Sequence, residues 1–275
     1  MRLLHRLAAP AAAVLVSAAL ITVPHPAHAA AAPSVITVRP AAAPGSLDPV
    51  IAAIKRQFAG KSGVRFTAKA VERTYGFIGT VISSGAYRFS ASGVYASDVM
   101  SRDEDGWRFR LRNVGRVSYV QDSRYDSLPK GKKWRLQGDA PNFRWNNDLV
   151  DGINLGFLAL AASQSHSVAD GGTVEGTPCT LHKGMATVAV LSTTQPGVRF
   201  GMKDEDDTWA GGTISWRLWT GPDHLPRRFN AVITWDKPPD EKDIGFDYVK
   251  LNKIYRHWGS DFTITHPPKA LVAPE

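Results

Sequence analysis

From residue 64 onward, apolar and polar positions alternate with a period of two. Val64, Phe66, Ala68 and Ala70 alternate with Arg65, Thr67 and Lys69. Tyr87, Phe89, Ala91, Gly93 and Tyr95 alternate with Arg88, Ser90 and Ser92, and Trp107, Phe109 and Leu111 with Arg108, Arg110 and Arg112. Val117 and Tyr119 continue the theme, and Trp134 and Leu136 follow a turn at Leu128-Pro129-Lys130-Gly131-Lys132. Each run is bounded by Gly, Asp, Ser or Pro. That is the pattern of antiparallel strands with one buried and one solvated face. Further on, a hairpin is expected from Val174–Gly176 and Thr180–Val190. Ile214, Trp216 and Leu218 form the next run, and Phe229, Ala231, Ile233 and Trp235 the one after. The connection between those two runs starts at Gly221-Pro222-Asp223 and ends at Pro226. Phe246–Leu251 and Phe262–Thr265 are candidates to close the set.

Two stretches switch to a helical period. In Leu47–Gly60, Asp48 is an N-cap candidate, Pro49 suits the first helical position and Gly60 the C-terminal cap. Ile51, Ile54 and Phe58 share one face, and Lys55 and Arg56 sit away from it. Asn146–Gln164 repeats apolar residues at three and four, and its last turns are apolar nearly all round, so it is expected to be mostly covered. The order is helix, strands, longer helix, strands, with no fixed-period repeat and no βαβ rhythm. It predicts an α+β fold, a single large antiparallel sheet carrying helices on one face.

The N-terminus changes the picture of the whole chain. Arg2 and Arg6, the apolar run Leu7–Val23 and the small-x-small triplet Ala27-His28-Ala29 read as a secretory signal over residues 1–29. Residues 30–45 are an Ala- and Pro-rich flexible leader, residues 46–268 are expected to form one domain, and 269–275 a loose Pro-containing tail. Among 275 residues there is one Cys, so an intrachain disulfide framework and a Cys-cluster zinc site are excluded. The formal net charge of +8 falls to about +6 once Arg2 and Arg6 leave with the signal. The sole Cys is Cys179, far from the cleavage site, which argues against lipidation of a mature N-terminus. An exported protein that is soluble after cleavage is the expectation.

At this point the chain resembles a known family, the LolA-like lipid and lipoprotein carriers, and within them the LppX/LprG-type actinobacterial branch. The helix Leu47–Gly60 running into Val64-Arg65-Phe66-Thr67 is similar to the family's opening helix and first strand. Leu128-Pro129-Lys130-Gly131-Lys132-Lys133-Trp134 resembles its Leu-Pro-x-Gly-Lys-x-Trp hairpin. Val174-Glu175-Gly176-Thr177-Pro178 through His182-Lys183-Gly184 resembles its Val-x-Gly strand pair. Trp219-Thr220-Gly221-Pro222-Asp223 with Leu225-Pro226-Arg227-Arg228 resembles its Asp-x-x-x-Leu-Pro hairpin, and Asp261–Pro268 its closing strand before Pro-Pro. The chain departs from the pattern in lacking the lipobox Cys and in a long connection from Ser192 to Gly212. The resemblance implies a curved antiparallel half-barrel with helices in its concave side and an apolar cavity for acyl chains between them. It brings no catalytic residue and no cofactor.

Acyl-chain binding calls for a concave apolar surface with few polar groups. The candidate wall is Phe66, Phe89, Trp107, Phe109, Trp134, Trp216, Phe229 and Trp235, with Phe157 and Leu158 as lid; the alternative is that they simply fill a core. Arg108, Arg110 and Arg112, and Lys130, Lys132, Lys133 and Arg135, read first as solvated faces. They also suit lipid phosphates or transient contact with an anionic membrane surface. No nucleic-acid-binding motif is present. No His pair has metal-ligand spacing, and none lies in His-Glu-x-x-His. Cys179 and His182 fall on opposite faces of a strand, so a nucleophile pair is not expected. Asp204–Asp207 lacks the alternating ligand spacing of a calcium loop and reads as solvated. The reading is an exported, monomeric, non-enzymatic binder or carrier of lipid or glycolipid acyl chains. A sensor or adaptor on the same fold, of the RseB type, and a secreted hydrolase on an unrelated antiparallel fold are the alternatives.

Overall fold

The structure is a computed structural model. It describes residues 46–74, 77–123, 128–139, 150–164, 166–187, 212–236 and 246–273. The signal, the leader, the Asp204–Asp207 run and most of the Ser192–Gly212 connection lie outside the described residues.

The alternating runs build an 11-stranded open antiparallel sheet, with spatial order β6-β5-β4-β3-β2-β1-β11-β10-β9-β8-β7. The strands are β1 Gly63–Thr74, β2 Phe77–Ser90, β3 Gly93–Asp103, β4 Arg108–Val114, β5 Val117–Asp122 and β6 Arg135–Asp139. They continue with β7 His166–Val174, β8 Thr177–Thr187, β9 Gly212–Thr220, β10 Pro226–Trp235 and β11 Phe246–Ser260. Neighbours in the sheet are neighbours in sequence except at the centre, where β1 pairs with β11, Thr67 opposite Ile254 and Phe66 opposite Tyr255. Each half of the sheet is therefore a meander, and the two meet where the domain's first and last strands pair.

Two helices cover one face, α1 Asp48–Ala59 and α2 Leu155–Ser163. This is the expected α+β half-barrel with helices on its concave side. The buried apolar positions of β1 and β9–β11 point to these helices, because directly paired residues share a face. Ile214, Trp216 and Leu218 lie opposite Ile233, Ala231 and Phe229. α1 adds Val50, Ala53, Ile54 and Phe58 to the same core.

Local chemistry moves several boundaries. The side chain of Ser46, not Asp48, accepts from the backbone at the start of α1: Ser46 Oγ takes the Asp48 N–H at 3.0 Å. Gly60 ends the helix but stays right-handed, and Lys61 takes the left-handed position with φ 52°. Of the expected Asn146–Gln164 helix, residues 146–149 lie outside the described residues, and α2 starts at Leu155, where Asn154 caps it by accepting from Phe157 N after a turn at Gly152-Ile153. The Tyr87–Tyr95 run is broken by a turn at Ala91-Ser92. Glu175 and Gly176 both have positive φ, 47° and 81°, which suits the two-residue β7–β8 hairpin.

The C-terminal end departs furthest from expectation. Phe262–Thr265 is not a strand, and the chain through residue 273 is not loose. It runs back across the outer face of the sheet as a strap. Arg88 donates to Asp261 at 2.5 Å and Tyr119 Oη meets His266 Nδ1 at 2.9 Å. A 3-10 turn, Lys269–Leu271, leads into backbone bonds with Trp134, including Ala273 N to Trp134 O at 2.8 Å. Pro267 and Pro268, just after Phe262–Thr265, have no N–H to give to a ladder, which does not prevent docking.

Candidate functional site

Most of the candidate wall comes together. Phe66, Phe89, Phe157, Leu158, Trp216, Phe229 and Trp235 belong to one buried cluster with α1 and the inner face of β9–β11. α2 lies directly on this wall. The Phe157 ring meets Phe229 edge-on at 5.7 Å and Trp216 at 6.2 Å, the geometry aromatic pairs prefer. Phe58 and Phe89 pack at 4.8 Å beneath α1. Between the sheet and the helices these side chains pack against one another.

The remaining candidates lie elsewhere. Trp134 is buried, but on the opposite face, under the strap and beneath the guanidinium groups of Arg110 and Arg112 at 5.5 and 5.0 Å. It stands apart from the buried cluster, because the strap rather than a helix covers it. Trp107 and Phe109 are half-buried and pair with each other at 5.5 Å, with Trp107 Nε1 donating to Asp122 at 2.6 Å. They are outside the cluster, since β4 lies three strands from β1. There the inner face turns polar: Ser83 meets Ser101 at 2.8 Å, and Asn113 bridges Ser97 and Ser118.

The wall also holds a group that alternation concealed. Lys253 occupies an inward position of β11, between Leu251 and Tyr255, and is fully buried. Its ammonium donates to Asp151 Oδ2 at 2.5 Å and to Tyr87 Oη at 2.9 Å, and lies 4.2 Å from the Phe66 ring centre. Tyr255 Oη donates to Asp151 Oδ1 at 2.6 Å and accepts from Gly152 N at 3.0 Å. Ile153 N also donates to Asp151, at 3.0 Å. This network fastens the turn before α2 to the sheet. The sequence signal for it is one lysine on the apolar face of a strand, a position that demands a buried partner. These groups converge in the core, Asp151 being 2% exposed and Lys253 0%.

His182 is buried near His166, whose ring in turn meets Trp216, with His182 Nδ1 lacking a hydrogen-bond partner and His182 Nε2 3.4 Å from Thr220 Oγ1. Burial, with the fields of His166 and His224, lowers its pKa to about 4. The Cys179 thiol is pushed up by burial, the opposite of an activated nucleophile. No cluster of three metal-ligating side chains occurs among the described residues.

Clefts of about 510, 520 and 650 Å³ lie on other surfaces: under the strap, under the Leu128–Lys133 turn, and beside His166 and Trp216. No described helix is long and apolar enough to cross a membrane.

No family model matches the chain, and no curated protein does. Among solved structures, the chain is similar to LprF from Mycobacterium bovis, at 13% identity over 80% of this chain and 96% of that one, with a TM-score of 0.45. It is similar to a chain in the complex structure of Pseudomonas aeruginosa MucA/MucB at 15% identity, spanning 74% of this chain but only 56% of that one, TM-score 0.29. A putative outer membrane lipoprotein-sorting protein domain from Vibrio parahaemolyticus matches at 7% identity over 77% and 90%, TM-score 0.25.

Proposed function

We propose that this protein is an exported, non-enzymatic carrier or binder of acyl lipids or acylated proteins, working as a monomer and receiving the acyl chain under α2. The observation that carries the reading is α2 itself. It has nine residues, LGFLALAAS, no charge, and apolar side chains nearly all round. Leu155, Leu160 and Ala162 remain only partly buried against the cluster. Lifting such a helix off Trp216 and Phe229 opens a space bounded by apolar surface on both sides, which is the environment an acyl chain requires. The wall, lid and latch all belong to the 46–268 domain. Export is read from residues 1–29.

The test is extraction of natively purified protein with organic solvent, followed by mass spectrometry, beside uptake of a fluorescent fatty acid by the delipidated chain. Acyl lipid in the extract, and saturable uptake weakened by Leu158→Asp, are expected. An empty extract together with no uptake overturns the proposal.

A sensor or adaptor on the same fold is the second reading. It is favoured by the β2 end of the β1–β2 hairpin, where Phe77 and Ile78 are 77% and 59% exposed. A partner captured from the membrane fraction by the intact chain, and lost with Phe77→Ser, supports it; capture of lipid alone counts against it.

A further inference from the structure

On the face of the sheet opposite the helices, a cleft of about 510 Å³ lies between β1–β3 and the strap. Arg65, Arg110 and Arg256 line it, with the hydroxyl-bearing Thr67, Ser84 and Thr263. Met100, Phe262 and Ile264 give it an apolar side. Asp98, also in the lining, binds the Arg110 fork at 2.7 Å through each oxygen and is shared with Arg112. Arg256 is held by Glu175, which reaches over from the β7–β8 turn, and donates to Thr67 Oγ1 at 3.0 Å. Arg65 makes no ion pair among the described residues. Its guanidinium lies over the Phe262 ring at 5.1 Å and is open to solvent.

Three guanidinium groups and one carboxylate line the cleft, and with Arg112 on Asp98 and Glu175 on Arg256 included the set keeps a surplus of two positive charges. The cleft is also a shaped one. A Cβ on Gly63 would come within 2.5 Å of the Phe262 ring and 2.7 Å of Tyr87 O, so this glycine is what lets the ring seat on β1 beside Arg65.

We propose that this cleft binds a phosphate ester. The phosphate sits at Arg65, with Arg110 and Arg256 supplying field and the cleft's hydroxyls further donors. The organic part lies against Phe262, Ile264 and Met100. A guanidinium fork matches phosphate oxygens bidentately. A surplus of two charges matches a phosphate monoester better than a carboxylate, and the apolar side explains why an ester suits the cleft better than free phosphate. The ester's source is either a soluble metabolite or a lipid headgroup. The site is on the opposite face from α2 and does not rest on the carrier reading, so either can fail alone.

The test is an amide NMR titration of the intact chain with glycerol 3-phosphate, beside sedimentation with phosphatidylcholine vesicles with and without phosphatidic acid. Saturable shifts at Thr67, Phe262 and Ile264 are expected. Arg65→Gln should weaken binding about tenfold, the loss of one bidentate charged contact. Arg217→Gln, an exposed arginine outside the cleft, should change it less than about twofold. Both variants should melt with wild type. Arg65-dependent binding of glycerol 3-phosphate identifies a soluble ester as sufficient, and Arg65-dependent binding of phosphatidic acid vesicles alone identifies a lipid headgroup. No Arg65-dependent binding of either probe, or equal loss in Arg217→Gln, overturns the proposal.

Discussion

Lys253 and Asp151 form an ion pair sealed in the core. Removing one partner leaves a charge buried without compensation, whereas replacing both by apolar groups removes two desolvation costs together. Asp151→Leu alone and Lys253→Met alone are each expected to lower stability by about 3–5 kcal/mol in urea unfolding. The double variant should recover most of the loss. Equal or greater loss in the double variant would mean that Tyr87, Tyr255 and the Gly152 amide, rather than the ion pair, hold the turn.

His182 gives a second residue-scale prediction. Its folded pKa of about 4 lies below its ordinary value of 6.5, so between those values the unfolded chain binds a proton that the folded chain refuses. Stability is fully present above pH 6.5 and declines as pH falls towards 4. The loss should be about 2 kcal/mol, less than the full shift because His182 is not wholly sealed from water. His182→Gln should flatten this part of the stability–pH curve relative to wild type. An unchanged slope would show that other groups carry it.

At the scale of elements, what was legible followed from period. β9 and β10 were readable because Ile214-x-Trp216-x-Leu218 and Phe229-x-Ala231-x-Ile233 bury one face under helices and leave the other in solvent. α1 was readable from Pro49 and its Ile51–Ile54–Phe58 stripe. The wall was only partly legible, since alternation says that Trp107 and Trp134 sit on a face but not which cover meets it. Trp134 is buried by a strap about 140 residues downstream, a contact no local pattern encodes. The strap was hidden for the same reason: its prolines and isolated contacts carry no period. Gly63→Ala tests how firmly it is held. The added methyl would meet the Phe262 ring and the rigid Tyr87 carbonyl, so a cost of about 1–3 kcal/mol is expected. Limited proteolysis should then cut between Phe262 and His266, where wild type resists. Unchanged stability and resistance would place the strap's anchorage wholly at Trp134.

At the scale of the molecule, the sheet and α2 differ in how they are secured. β1 and β11 close the centre of the sheet by an unbroken ladder from Arg65↔Arg256 to Arg73↔Tyr248, joining the two ends of the domain. Opening it costs the global stability, because both halves depend on it. α2 is nine residues long, too short to be stable alone, and relies on the wall and on the Asp151 latch. A carrier needs this asymmetry, with a rigid wall and a lid that lifts without unfolding the wall. Native-state hydrogen exchange is therefore expected to show amides of Gly152, Ile153 and Phe157 opening at lower free energy than those of Trp216, Ala231 and Leu251. Adding a saturating fatty acid should change protection at the first group and leave the second near its global value. Saturating ligand at about a hundred times its Kd should also add about 2.7 kcal/mol to global stability. Ligand-induced change confined to β3–β6 instead would place the acyl chain on the polar half of the inner face and remove α2 from the mechanism. Uniform exchange of α2 with the central strands would mean that the lid opens only when the whole sheet does, and a closed core of that kind has no route for cargo.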